Sequence, residues 1–355
     1  MKVKLPVRPA ILKRRTFEPP AEGREGKIRL DFNENTAGCS PVAKRALAGL
    51  SAKQLAMYPE YQTPTRRLAR YFGVREEELL LANGADDALR AIFDSFVGEG
   101  SRILICEPTF PMYRFYAEIF GARIDVLRYT SEMKLPLSDV VAALRKKPRV
   151  LFIANPNNPT GTLLHRPVLR KILQAATHTA VVIDEAYAEF SGVTVVPWIH
   201  RYPQLFVVRT FAKAAGLAGL RLGAVIARAD SLSYLRRAMP PFPVNVAALV
   251  AAEAAIRDRR TMRRYVSEVK RLREWLAREL GLLGVRTFPS VGNFLLADFG
   301  PRGPSLFRKL ERLGILLRER GREIAPGFVR ISIGTGVEMR MLINFIRKEC
   351  SRNLV

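Results

Sequence analysis

The stretch VLFIANPNNPTGTLLHRPVLRKILQAATHTAVVIDEAY, residues 150–187, decides the architecture. It opens on an apolar run, 150–154, passes through a turn rich in Pro and Asn and a helical pattern at 167–175, and closes on a second apolar run, 180–184. Runs without polar alternation are strands buried on both faces, and two of them joined by a helix make a parallel crossover unit. The same alternation continues outward. Strands are expected at 79–82, 102–106, 123–127, 205–209 and 222–226, with helices at 86–97, 112–120 and 137–144. Seven strands with crossover helices define an α/β core around a mainly parallel sheet.

Past the breaker MPPFP at 239–243, an Ala-rich stretch to 256 and a charged stretch at 260–280 read as two long helices. Strands near 293–297, 315–317 and 328–332, a helix near 305–313 and a last helix from Val337 form a smaller α+β unit. The division expected is a large domain at 40–240 and a small domain made of 1–39 and 241–355.

With 355 residues, 48% hydrophobic and 26% charged, the chain is long enough for two packed cores, which excludes disorder. Its longest apolar stretch, 244–256, is broken by Asn245 and Glu253, short of the roughly 20 apolar residues of a membrane span. The basic start leads into Phe17, Glu18, Pro19 and Pro20 without an apolar core, so no secretory signal is expected. Cys39, Cys106 and Cys350 lack disulfide or metal spacing, so no metal is expected and a reducing cytoplasm is the expected compartment. The 58 Lys and Arg against 33 Asp and Glu give a formal charge of +25. These bases are scattered, with no basic tail, zinc finger or RNA-binding aromatic signature, and read as solvated helix faces whose field concentrates anionic small molecules.

Distinctive polar groups stand at the expected strand ends, where ligands of open α/β sheets bind. Lys213 follows a strand in RTFAKAAGLAGLRLG, where a long amine reaches out of the sheet edge. Asp184 ends VVIDEAY; it either faces a cation, such as the protonated ring nitrogen of a pyridinium cofactor, or caps the helical turn at Ala186 and Tyr187. Asn158, on the rigid turn NPNNPTG, and Tyr187 are placed to hydrogen-bond a phenolate oxygen. Asn83-Gly84-Ala85-Asp86 opens a helix whose free N–H groups suit a phosphate, unless Asp86 or Asp87 serves only the helix dipole.

Taken with LDFNENTAG at Leu30, MYPEY at Met57, NGADDAL at Asn83, EPTFPMY at Glu107 and VRISIGTGVEM at Val329, these motifs resemble the fold-type I pyridoxal-phosphate enzymes over nearly the whole chain. The similarity is strongest to the histidinol-phosphate aminotransferase branch of the class I/II aminotransferases. That resemblance implies that Lys213 binds pyridoxal 5'-phosphate covalently and moves the Cα proton, that Asp184 pairs with the ring nitrogen, and that Asn158 and Tyr187 meet the ring oxygen. It further implies that Phe110 stacks on the ring, that Ala85, Asp86, Thr210 and Arg221 hold the cofactor phosphate, and that Tyr58 reaches the phosphate in a partner subunit, making a homodimer with shared sites. Arg330 and Arg318 match arginines that grip the substrate's anionic groups, although Arg318 lies in a run with Arg320 and Arg322 that also reads as a solvated face. The implied reaction moves an amino group from L-histidinol phosphate to 2-oxoglutarate, a step of histidine biosynthesis. Threonine-phosphate decarboxylase and a general or aromatic amino acid aminotransferase are the alternatives. Two departures from the branch stand out: Ala212 precedes the lysine where a Ser or Thr is usual, and no tyrosine precedes Tyr58, leaving Phe17 and Phe32 as the aromatics of that segment.

Overall fold

The computed structural model describes residues 5–12, 14, 16 and 22–351; Phe17 lies outside them. Twelve strands are found among these residues: β1 (Ile28–Leu30), β2 (Leu79–Ala82), β3 (Arg102–Glu107), β4 (Arg123–Arg128), β5 (Val150–Ala154), β6 (Ala180–Asp184), β7 (Leu205–Thr210), β8 (Gly223–Ile226), β9 (Arg286–Thr287), β10 (Phe294–Asp298), β11 (Ile315–Glu319) and β12 (Phe328–Ser332). Seven of them form the large sheet in the order β2-β8-β7-β6-β5-β3-β4. β8 runs antiparallel to both neighbours and every other pair is parallel. The carboxyl ends of β2, β3, β5, β6 and β7 therefore share one edge with the start of β8. The middle strands β5, β6 and β7 are buried almost throughout, as both faces carry helices.

The smaller sheet has the order β1-β11-β12-β10-β9, and β1 joins it parallel to β11, which places the N-terminal segment with the small unit. Between the two units the expected break after 240 does not coincide with a change of core. The helix Val246–Arg257 packs Ala248, Leu249, Ala251, Ala252, Ala254 and Ala255 into the same cluster as Leu151, Ile153 and Val207 of the large sheet. Its alanines let it lie close, whereas the prolines at 240–243 only end the preceding helix, Ala229–Ala238. We propose that the large unit extends through Arg257. At that seam Ser40 Oγ donates to Asp258 Oδ2 at 2.6 Å, and Asp258 caps the helix Arg259–Leu282 by accepting from Thr261 N. Among the described residues no helix is long and apolar enough to cross a membrane.

Behind the ligand edge, Arg209 of β7 is buried between two carboxylates. Its NH1 donates to Glu185 Oε2 at 3.0 Å and its NH2 to Glu189 Oε1. Glu185 also accepts from Thr194 Oγ1 and Val195 N, each at 2.7 Å, so the cluster ties the end of β6 to β7. Removing one member of such a buried group strands the others, at a cost of about 3–5 kcal/mol. Arg209→Met should therefore lower the unfolding free energy by about that amount, measured by urea denaturation; a loss below 1 kcal/mol would show that the cluster is solvated.

Candidate active site

The turn after β5 is held from within. Asn155 Nδ2 donates to Leu164 O and its Oδ1 accepts from Leu164 N, while Asn157 Nδ2 donates to Pro108 O and to Thr160 Oγ1 and its Oδ1 accepts from Thr109 Oγ1. These bonds fix Asn158, whose Oδ1 accepts from Arg330 NH1 at 2.6 Å. With its carbonyl so engaged, Asn158 keeps its NH2 as the donor toward the neighbouring cavity.

That cavity, about 310 Å3, opens along the shared strand edge. Lys213, three residues past the end of β7, points into it and donates from Nζ to the backbone carbonyl of Phe32 at 3.0 Å. Burial, with repulsion from Arg330 added, brings the Lys213 ammonium down to about 8. Asp184 is 4% exposed. One of its oxygens accepts from Tyr113 Oη at 2.8 Å and the other from Ala186 N at 3.0 Å, so it caps the turn and faces the cavity at once. Burial lifts it to about 6, and the two donated hydrogen bonds offset only part of that rise.

At one end of the cavity the helix Gly84–Phe96 begins with the N–H groups of Ala85 and Asp86. Gly84 has φ +85°, and a Cβ there would lie 2.7 Å from Arg221 NH2. A Cβ on Gly223 would come within 2.5 Å of Ala85 N. Bare backbone at both positions lets β8 and the helix start close around a small anion, with Arg221 and Thr210 on the same wall. Arg221 NH2 is held by Asp86 Oδ2 at 3.0 Å.

The other end is cationic. Arg318 and Arg330 are register partners on β11 and β12, and Arg320 follows two residues after Arg318; all three line the cavity. Arg330 is 6% exposed, donates to Asn158 and to the carbonyl of Asp31, and keeps its buried Nε without a partner. Burial first, then repulsion from Arg320 and Arg318, disfavours its charged form, so the site gains from an anion. Tyr187, against Lys213, accepts at its hydroxyl from Asn33 Nδ2 at 2.9 Å. Asn33 in turn accepts at Oδ1 from Ser332 Oγ and at its carbonyl from Asn293 Nδ2, which joins β12 and β10 to the large unit.

Lys213, Asp184, Tyr187, Asn158, Phe110, Ala85, Asp86, Thr210, Arg221, Arg318 and Arg330 all line this one cavity. Tyr58 does not. It is 79% exposed and stacks on Phe242 with ring centroids 4.6 Å apart. Of the two N-terminal aromatics, Phe32 lines the cavity, with Arg24 at 4.1 Å and Arg318 at 5.9 Å from its ring centroid. Residues that sequence reasoning missed are Tyr113, which lies within an apolar helix face, and Asn33, which pairs only through the tertiary fold. Arg320 does not lie on a solvated face: it is 2% exposed inside the cavity. The two-residue period of β11, carried one residue past its end, puts Arg318 and Arg320 on one side and is the signal that could have found it.

A buried carboxylate with no cation against it, a lysine amine kept near neutrality and a backbone cradle for a phosphate are the donor set that pyridoxal phosphate requires. The residues fit that cofactor, and fold and site together define a pyridoxal-phosphate enzyme. Residues 25–346 match the family described as aminotransferase class I and II. The chain is 33% identical over 331 residues to histidinol-phosphate aminotransferase 1 of Carboxydothermus hydrogenoformans, covering 92% of this chain and 93% of that protein. It is 37% identical over 332 residues to the histidinol-phosphate aminotransferase of Roseiflexus castenholzii, covering 90% and 89%. Its fold matches that of histidinol-phosphate aminotransferase from Sinorhizobium meliloti in complex with pyridoxal-5'-phosphate, with a TM-score of 0.91, 24% identity and 99% of each chain covered. The chain belongs to the class I and II aminotransferases and is a pyridoxal-phosphate-dependent enzyme.

In the cofactor-free protein Asp184 titrates above its ordinary value of 3.8, at about 6. Between those values the folded chain keeps a proton that the unfolded chain has released, so apoenzyme stability falls as pH rises from about 4 to about 6. Asp184→Asn should flatten that slope and raise the melting temperature at pH 7 but not near pH 4. An unchanged pH profile in the variant would place the ionisation elsewhere.

Proposed function

We propose that this aminotransferase moves the amino group of a phosphorylated amine, L-histidinol phosphate, to 2-oxoglutarate, acting as a homodimer in the cytoplasm. The observation that carries the reading is the pair Arg318 and Arg330, lining the same cavity as Lys213. A donor bound between them presents its amine to the lysine and its phosphate to guanidinium groups, whose planar forks suit phosphate and carboxylate alike. The name shared by the two curated relatives supports the same donor.

Pyridoxal phosphate, when bound, supplies the electron sink that acidifies the Cα–H of the amino donor. Lys213 holds it covalently and afterwards takes the Cα proton at Nζ. Its value of about 8 leaves a useful fraction of free amine near neutral pH. Asp184 pairs with the protonated ring nitrogen. The Asn158 NH2 and the Tyr187 hydroxyl, whose own proton is left free by the bond from Asn33, donate to the ring oxygen, and Phe110 covers one face. Ala85, Asp86, Thr210 and Arg221 hold the phosphate. Ala212, where the branch usually has a hydroxyl, removes one neutral hydrogen bond worth about 1 kcal/mol.

Tyr58 is assigned to the partner subunit's phosphate site. Leu55, Met57, Tyr58 and Phe242 form an exposed apolar patch, which a second copy would cover.

Lys213→Ala should abolish turnover, and borohydride should no longer fix the cofactor to the chain; fixation at the wild-type level would remove Lys213 from this role. A panel of amino donors with 2-oxoglutarate, scored for glutamate formed and carbon dioxide released, tests the donor: decarboxylation without glutamate would replace this reading with the phosphothreonine one. In that panel Arg318→Ala should lose roughly ten- to hundredfold in kcat/KM for histidinol phosphate, and much less for an unphosphorylated donor. Sedimentation of the active enzyme should show a dimer. A fully active monomer would reject the role given to Tyr58.

A further inference from the structure

Arg318 and Arg330 account for two guanidinium groups on the small-sheet side of the cavity, but that side holds a third. Arg320 follows the end of β11, and its N–H continues the ladder by donating to Phe328 O at 2.8 Å, so its side chain stands on the same face as that of Arg318. It is 2% exposed, and its Nε has no hydrogen-bond partner. Its NH2 lies 2.7 Å from Glu323 Oε2, an ion pair, yet out of hydrogen-bond alignment. Buried arginines are ordinarily satisfied, because an unpaired buried donor costs on the order of 1–3 kcal/mol. Arg320 and Arg330 each keep a buried Nε idle at one site.

The charges do not cancel. Arg318, Arg320 and Arg330 bring three positive charges, and Glu323 is the carboxylate that acts on both Arg320 and Arg330. The remaining excess is two positive charges. A carboxylate neutralises one of them, whereas a phosphate monoester, whose second ionisation falls near pH 6, neutralises both at neutral pH and brings three acceptor oxygens.

We propose that Arg320 is a third anion-binding side chain, which selects a dianionic phosphate ester over a monoanionic carboxylate at the donor end of the cavity. The proposal rests on the reading of that end as the substrate's anion site, and it goes further by naming the residue that sets the charge preferred there. Glu323 keeps its share of the cluster and competes with the bound dianion for Arg320.

The test uses holoenzyme, with L-glutamate as donor in a single half-reaction, and reads competitive inhibition by inorganic phosphate and by acetate in wild type, Arg320→Gln and Glu323→Gln. Arg320→Gln should weaken phosphate inhibition roughly ten- to hundredfold and acetate inhibition no more than about threefold. Its melting temperature should hold or rise, since a repelled charge is removed. Glu323→Gln should strengthen phosphate inhibition. Equal losses for both anions, a lowered melting temperature in Arg320→Gln, or a Glu323→Gln variant that also weakens phosphate would overturn the proposal and leave Arg320 as half of a structural ion pair. Wild-type enzyme insensitive to phosphate would overturn it as well. Inhibition that depends on Arg320, in an enzyme that does not turn over histidinol phosphate, would uphold the anion role and remove only the donor assigned above.

Discussion

Taking a carboxylate out of water costs several kcal/mol unless something charged or hydrogen-bonding meets it. Asp184 sits under that constraint at the end of the central strand of the large sheet, and much of the site is arranged around it. β5 and β7 flank β6, so the turn carrying Asn158 and the loop carrying Lys213 emerge on either side of the carboxylate. Tyr113 and the Ala186 N–H satisfy its oxygens without supplying a positive charge. Behind it, Arg209 is engaged by Glu185 and Glu189 and pairs with neither of the Asp184 oxygens. Asp184 thus faces the cavity with both oxygens hydrogen-bonded and no ion-pair partner in contact, which suits the ring-nitrogen role proposed for it.

The opposite end of the cavity has the complementary imbalance. Arginines from two neighbouring strands of the small sheet converge there, and the strand register that pairs Arg318 with Arg330 prevents them from moving apart. The two imbalances sit on different sheets. They are tied together directly by the bond from Arg330 to Asn158 and through the segment 31–34, where Asn33 bonds to Tyr187, Ser332 and Asn293.

Most of this was legible from local pattern. Apolar runs and their spacing located all seven strands of the large sheet to within a residue or two, because buried parallel strands tolerate little else. Strand-end motifs located the cavity wall for the same reason, since ligand edges follow from strand direction. Three things escaped. Prolines mark a helix break, which is a local event, whereas the packing of the alanine face of the helix Val246–Arg257 into the large core shows in no local window. Arg320 was grouped with its exposed neighbour Arg322, because charge type outweighed strand period. Asn33 and Tyr113 act through partners 154 and 71 residues away, which no window of sequence brings together.

Lys213 Nζ donates to a main-chain oxygen, that of Phe32. Every residue type brings the same carbonyl, so replacements at position 32 leave this hydrogen bond intact so long as the chain keeps its path. What they alter is the ring that Arg24 and Arg318 share. Position 32 is thus divided between two tasks: its backbone meets the lysine, and its side chain sets the aromatic face presented to two arginines.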